Sequence, residues 1–240
     1  NVRKIISMAS TQGIGEAINA VKEKKNLANP TGYSSSGLVL EVGSAVSDIK
    51  VGDRVACAGS PHAEIIKVNR NLCTLMPEEL DFGSASTVTL GAIALQGVRR
   101  AQPTMGETFV IIGLGVLGQL VHQLLKANGC MTIGLDLDKS RVELAQNLGL
   151  NIGLNPDENN DFEQISRLTN GFGADGVIIT AASPSNNIIS TAFQMCRKKG
   201  RVVLVGDVGL DLKRSDFYAK ELDFFISTSY GPGRYDHNYE

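Results

Sequence analysis

The run Gly113-Leu114-Gly115-Val116-Leu117-Gly118 constrains this chain more than any other feature. It directly follows the apolar stretch 109–112 and opens a second apolar stretch that runs to Ala127. That is the G-x-G-x-x-G spacing placed between a strand and a helix. Gly113 lets the chain leave the strand in a tight turn, Gly115 leaves room for a diphosphate to approach the backbone, and Gly118 allows close helix-to-strand packing. The unpaired amides and partial positive charge of the helix N-terminus then form an anion site without any lysine or arginine. The cofactor-binding set read from the turn is Gly113, Leu114, Gly115, Val116, Leu117 and Gly118.

A second strand, predicted at 131–135, delivers Asp136 at its end, where a carboxylate accepts hydrogen bonds from both adenosine ribose hydroxyls. Against a 2′-phosphate about 4 Å away, the same charge is repulsive by about 1–4 kcal/mol. The sequence therefore predicts NAD over NADP. Lys139 and Arg141 follow closely and soften that preference, and Arg141 joins the predicted cofactor-binding residues.

The stretch from 108 onward alternates strand and helix. Strands are predicted at 108–112, 131–135, 152–154, 176–180, 201–205 and 224–228, with helices at 116–127, 139–148, 162–169, 187–196 and 215–220. Six strands in this rhythm predict one α/β, doubly wound parallel Rossmann sheet. Upstream, 2–27 reads as helical, and from Gly37 the chain is β-rich, with strands predicted at 38–42, 54–57 and 64–68 between glycines and Pro61. A helix with one packed face follows at 90–101 and stops before Pro103.

At 240 residues the chain has room for two domains. With 42% apolar and 20% charged residues it reads as soluble and globular. Its 23 basic against 25 acidic residues offer no surplus positive charge for nucleic acid or an anionic bilayer. The longest apolar run, 109–121, is broken by Gln119 and three glycines and is too short to span a membrane. Cys57, Cys73, Cys130 and Cys196 are scattered without a Cys-x-x-Cys pair, so they read as reduced cytoplasmic thiols. Asn1 in place of methionine leads us to expect a truncated N-terminus.

The order of elements resembles the medium-chain dehydrogenase/reductase family, the relatives of zinc alcohol dehydrogenases, over nearly the whole chain. The stretch from Gly32-Tyr33-Ser34-Ser35-Ser36-Gly37-Leu38-Val39 to Val51-Gly52-Asp53-Arg54-Val55 is similar to the family's segment between its Gly-His-Glu and Gly-Asp-Arg-Val motifs. The helix at 90–101 resembles its interdomain link, and the glycine turn with Asp136 resembles its coenzyme site. The resemblance implies a helical N-terminal segment at 1–30, a partial GroES-like catalytic domain at 31–91, an NAD-binding domain at 92–231, and the start of a truncated C-terminal segment at 232–240. It also places Ala181, Gly206 and Asp207 beside the nicotinamide.

Departures from the family pattern bear on chemistry. Tyr33 stands where the family has a histidine zinc ligand, Ser34 replaces the following glutamate, and Thr89 sits where a later cysteine ligand belongs. The structural four-cysteine lobe is missing as well, so the resemblance implies no catalytic metal. The run Ser-Tyr-Gly-Pro-Gly-Arg-Tyr-Asp at 229–236 is similar to a zinc-lacking bacterial branch associated with cell-surface polysaccharide genes, some of whose members carry a second oxidoreductase domain downstream.

Without a metal, hydride transfer at a hydroxyl needs another proton donor or acceptor. Tyr33 is the candidate acid, a phenol with an ordinary pKa of about 10, and its other reading is packing at a domain boundary. Thr89 either hydrogen-bonds a substrate oxygen or caps the helix. Of the histidines, His62 alone is placed to face a cleft, although a surface position suits it better. Asp207 reads as substrate recognition or a turn cap, and Arg234 as an anion contact or a solvated tail residue. The expected function is a zinc-independent NAD(H)-dependent oxidoreductase acting on a small polar substrate, such as a sugar derivative, as a homo-oligomer. A quinone or enone reductase and a non-catalytic NAD(H)-binding module are the alternatives.

Overall fold

The computed structural model describes residues 31–156, 161–236 and 239; the helix expected at 2–27 and His237 lie outside them. Six strands form one parallel sheet: β4 (Thr108–Ile112), β5 (Met131–Leu135), β6 (Ile152–Leu154), β7 (Ala174–Ile179), β9 (Cys196–Leu204) and β11 (Asp223–Ile226). Their spatial order is β6-β5-β4-β7-β9-β11, and every neighbouring pair is parallel. The order reverses beside β4, which is where a doubly wound sheet opens a crevice at its carboxyl edge.

The central strands carry near-continuous apolar runs because both faces of the sheet are covered. Successive residues point to opposite faces. Val110, Val177, Ile179, Val202 and Leu204 therefore enter one core, and Phe109, Ile111, Ile178 and Val203 the other. The first core is closed by Ile165 of α5 (Asp161–Leu168) and by Ile189, Ala192 and Phe193 of α6 (Asn187–Met195). The second is closed by α2 (Val88–Ala101), α3 (Val116–Ala127) and α4 (Lys139–Asn147), through Ala94, Val98, Val121, Leu125, Val142 and Ala145. Full burial of each large apolar side chain stabilises by about 1.5–3 kcal/mol.

Ahead of this sheet lies a three-stranded antiparallel sheet of β1 (Ser34–Leu38), β2 (Arg54–Ala58) and β3 (Cys73–Leu75), in that order. A short helix α1 (Phe82–Ala85), N-capped by Asp81, precedes α2. Three expectations fail here. The strand expected at 38–42 lies at Ser34–Leu38, the strand expected at 64–68 is loop, and β3 was not foreseen. Val39, Val42, Ile66 and Val68 instead pack as loop residues against Ile49, Val55 and Cys57. The linking helix begins two residues early, at Val88, and ends on Gln102 in the left-handed conformation just before Pro103. Arg201, on β9, ties that end down by donating to the carbonyls of Ala101 and Gln102 and pairing with Glu107. No helix among the described residues is long and apolar enough to cross a membrane.

His122 lies on the buried face of α3 with no exposed surface, and neither ring nitrogen has a hydrogen-bond partner among the described residues. Burial, and secondarily the charge of Lys126, hold its pKa below the ordinary 6.5. The folded state therefore keeps the ring neutral where the unfolded chain takes up a proton. Stability is full above pH 6.5 and falls as the pH drops below it, by up to about 1.4 kcal/mol per pH unit. We expect His122→Leu to lose less stability than wild type between pH 7.5 and 5.5 in urea unfolding. Equal losses in the two proteins would show that the ring is not held neutral.

Candidate functional site

The glycine turn sits at the carboxyl end of β4, at the point where the strand order reverses. Gly113 has φ +96°, a left-handed conformation that disfavours a side chain. A Cβ there would also lie 2.7 Å from the Ala181 amide nitrogen. Thr180, at the end of β7, donates from Oγ1 to the Gly113 carbonyl at 2.5 Å and locks the turn. A Cβ on Gly118 would come within 2.0 Å of the same carbonyl, so α3 and β4 meet here with no room for a side chain. At Gly115, in contrast, a Cβ would meet nothing within 4 Å. Gly115 is the N-cap of α3, and no side chain caps that end. The helix tip thus presents backbone and open space.

Asp136 follows β5, and its side chain is only 9% exposed. Its Oδ2 accepts from the Leu114 amide at 2.7 Å and its Oδ1 from the Asp138 amide at 2.8 Å. Each oxygen has a further lone pair. The carboxylate is thus held against the turn, 22 residues away in sequence. Arg141 lies 3.7 Å from Asp136 and 3.5 Å from Asp138, with its side chain 54% exposed. Asp138 caps α4 through Ser140, whose hydrogen bonds hold the Asp138 carboxyl below the ordinary carboxylate range. Gln119, unremarked in the sequence beyond interrupting an apolar run, bridges the Leu114 and Arg141 carbonyls at 2.9 Å each and so fixes the turn to α4.

Not every residue of the turn faces outward. Leu114 is fully buried in the core and its amide donates to Asp136. Leu117 packs partly against the same core, whereas Val116 is 60% exposed. Beyond β7 and β9, two short strands, β8 (Ala182–Ser183) and β10 (Asp207–Val208), pair in parallel. A Cβ on Gly206 would approach the Ala181 carbonyl to 2.1 Å. Gly113, Ala181 and Gly206 are therefore stacked backbone to backbone, with Asp207 exposed beside them and its amide donating to the Ala181 carbonyl.

On the smaller sheet, Tyr33 is 50% exposed and immediately precedes β1. Ser34 donates to the Ser86 carbonyl and accepts from the Thr89 amide at 3.3 Å, which brings the two predicted positions together. Thr89 does not cap its helix. The N-cap is Thr87, and Thr89 is buried with its hydroxyl directed at the Cys57 carbonyl, 3.5 Å away. His62 is exposed and lies against Gly32, one residue before Tyr33. Arg234 is exposed and donates to Ser229, while Asn71 donates to the Gly233 carbonyl, so the 229–236 run docks beside the small sheet. Two surface cavities, of about 600 and 230 Å³, include none of these residues; the open crevice at the sheet edge, with its built turn, is the better candidate.

Residues 116–239 match the family model for zinc-binding dehydrogenases. The chain belongs to the zinc-binding dehydrogenase family. Among relatives of this family, a D-guloside 3-dehydrogenase of Shigella flexneri is 34% identical over 60% of this chain and 42% of its own length. A D-arabitol-phosphate dehydrogenase of Enterococcus avium is 26% identical over 95% of this chain and 75% of its own. The solved 2R,3R-butanediol dehydrogenase of Bacillus subtilis superposes with a TM-score of 0.70 at 26% identity, covering 81% of this chain and 64% of that one. The chain thus spans about two fifths of the first relative and just under two thirds of the solved structure.

The family name implies zinc, and the donors among the described residues do not fit it. Tyr33, Ser34 and Thr89, where the family resemblance puts metal ligands, carry hydroxyls in place of the thiolate, imidazole or carboxylate that zinc takes. Among the described residues there is no group of three or more His, Cys, Asp or Glu placed to share a metal ion.

Proposed function

We propose that this chain is part of a zinc-independent, NAD(H)-dependent oxidoreductase that interconverts a secondary hydroxyl and a carbonyl on a small polyhydroxylated substrate, a sugar or sugar derivative. The observation that carries the reading is the Asp136 carboxylate, fixed by the Leu114 amide beside an uncapped helix tip with open space over Gly115. The dinucleotide, when bound, supplies the hydride carrier. The amides at the tip of α3 hold its phosphates, and the remaining lone pairs of Asp136 accept from the adenosine ribose hydroxyls. The backbone stack at Gly113, Ala181 and Gly206 forms the floor of the nicotinamide end, with Asp207 at its rim. Tyr33, half exposed, exchanges the hydroxyl proton with solvent. The sugar and polyol names of the relatives support this substrate class.

The expected discrimination is direct. Asp136→Asn keeps an acceptor for the turn but removes the charge, so it should narrow the preference for NADH over NADPH by about 1–4 kcal/mol. Fluorescence titration with both dinucleotides measures the ratio, and an unchanged ratio would remove Asp136 from the cofactor site. Turnover of polyols or nucleotide sugars in a substrate panel supports the oxidoreductase reading. Turnover of quinones alone favours the reductase alternative, which the lack of a metal-ligand set among the described residues also suits. Tight NADH binding without any hydride exchange favours a binding module.

The proposal extends to a cytoplasmic homo-oligomer, with 31–91 as the substrate-side domain and 92–231 as the cofactor domain. Gel filtration and limited proteolysis address both points.

A further inference from the structure

Two cysteines far apart by sequence spacing are direct cross-strand partners in the small sheet. Cys57 on β2 faces Cys73 on β3, with 3.5 Å between their sulfurs. Opposed residues in an antiparallel ladder have Cα atoms about 4.5–5.5 Å apart, within the roughly 4.4–6.8 Å range that a disulfide spans. Both thiols are free. Among the described residues no third metal-ligating group joins them. Cys130 and Cys196 are buried elsewhere, in contact with the Thr104 and Arg201 carbonyls respectively, and have no such partner.

We propose that Cys57 and Cys73 are a disulfide-forming pair, oxidised reversibly by small organic disulfides such as oxidised glutathione. Cys73 is the more exposed of the two and is the point of entry. Its thiolate attacks one sulfur of the organic disulfide and expels the first thiolate, leaving a mixed disulfide on Cys73. The Cys57 thiolate then attacks the Cys73 sulfur and expels the second. Two protein thiols become one disulfide, and their two protons leave on the two released thiols. Burial and the neighbouring Cys73 push the Cys57 thiol up to about 12, so Cys57 suits the internal second step better than the first.

The bond would close the loop 58–72, which carries His62, and would pin β2 where the Cys57 carbonyl meets Thr89. Cys57 lies across from Ser35 of β1, and the pair does not depend on the cofactor reading, because no dinucleotide takes part.

The test uses the intact, reduced protein incubated with oxidised glutathione, followed by intact-mass measurement and a non-reducing peptide map. We expect the loss of two hydrogens without a retained adduct, a crosslinked pair of peptides containing Cys57 and Cys73, and free Cys130 and Cys196. The oxidised protein should unfold about 6–12 °C higher, because the closed loop restricts the unfolded chain, and a dithiol reductant should reverse the shift. Cys57→Ala should retain glutathione on Cys73. A lasting adduct on wild-type Cys73, or both thiols still alkylatable after incubation, overturns the proposal. Wild type alone decides the matter even if the variant does not fold.

Discussion

Gly115→Leu is expected to weaken NADH binding by more than about 100-fold, equivalent to about 2.7 kcal/mol, while leaving the fold almost untouched. On the proposed function the two effects separate, because the position has room in the free protein and the bound dinucleotide would fill it. A Cβ at Gly115 meets nothing within 4 Å, and the backbone there, at φ −65° and ψ −171°, suits any residue. The loss of folding stability should stay near the roughly 1 kcal/mol of a poor N-cap. A leucine side chain, however, occupies the space above the amides that the phosphates must reach. Fluorescence titration together with thermal unfolding measures both quantities. NADH affinity within threefold of wild type would place the dinucleotide elsewhere and remove the basis of the proposed function.

Gly118→Ala should do the reverse and damage the fold first. The new methyl would lie 2.0 Å from the Gly113 carbonyl oxygen, a backbone atom held by Thr180, and 3.1 Å from the Thr180 hydroxyl itself. The carbonyl is main chain and cannot rotate away, so α3 must lift from β4. Overpacking of this kind costs about 3 kcal/mol, a fall in Tm of about 6–12 °C for a domain of this size. Binding should weaken as a consequence, since the same shift disturbs the Leu114 amide on Asp136. Differential scanning calorimetry tests the first effect, and a Tm within about 2 °C of wild type would mean that the turn adjusts more freely than its contacts indicate.

These paired outcomes follow from the part of the chain that was most legible in the sequence. β4, α3, β5 and β6 lie where the apolar runs and glycines place them, because each is bounded by a residue with a physical reason to end it. Asp136 was legible for the same reason, as the first charged residue after a buried strand. The small sheet was not. β1 is built from Ser34, Ser35 and Ser36, and two of those hydroxyls bond the carbonyls of Ser86 and Phe82, so tertiary partners stand in for the usual apolar pattern. β3 has three residues and buries none of them, leaving almost no periodic signal. At β9 the run Lys198-Lys199-Gly200 reads as a turn but lies inside the strand, which begins at Cys196, directly after α6.

Contacts made across the fold were equally hidden. Thr180 and Gln119 hold the glycine turn through side-chain hydrogen bonds to carbonyls that no spacing rule identifies, although a lone threonine at a strand end before the crevice was a usable hint. Thr89 looked like a cap because the helix seemed to start at Leu90. Two earlier residues displaced it into the interior, where it contacts the Cys57 carbonyl. The pairing of Cys57 with Cys73 depends on strand register, which only the folded sheet fixes.

The place where Gly113, Ala181 and Gly206 touch is made of main chain rather than side chains. Its shape is therefore set by backbone packing and is indifferent to side-chain changes elsewhere. Side-chain changes at 33, 34 and 89, on the small sheet and the helix that follows it, leave this main-chain stack as it is. On the proposed function, a change of substrate would fall at exposed side chains such as Tyr33, His62 and Asp207 and leave the main-chain stack untouched.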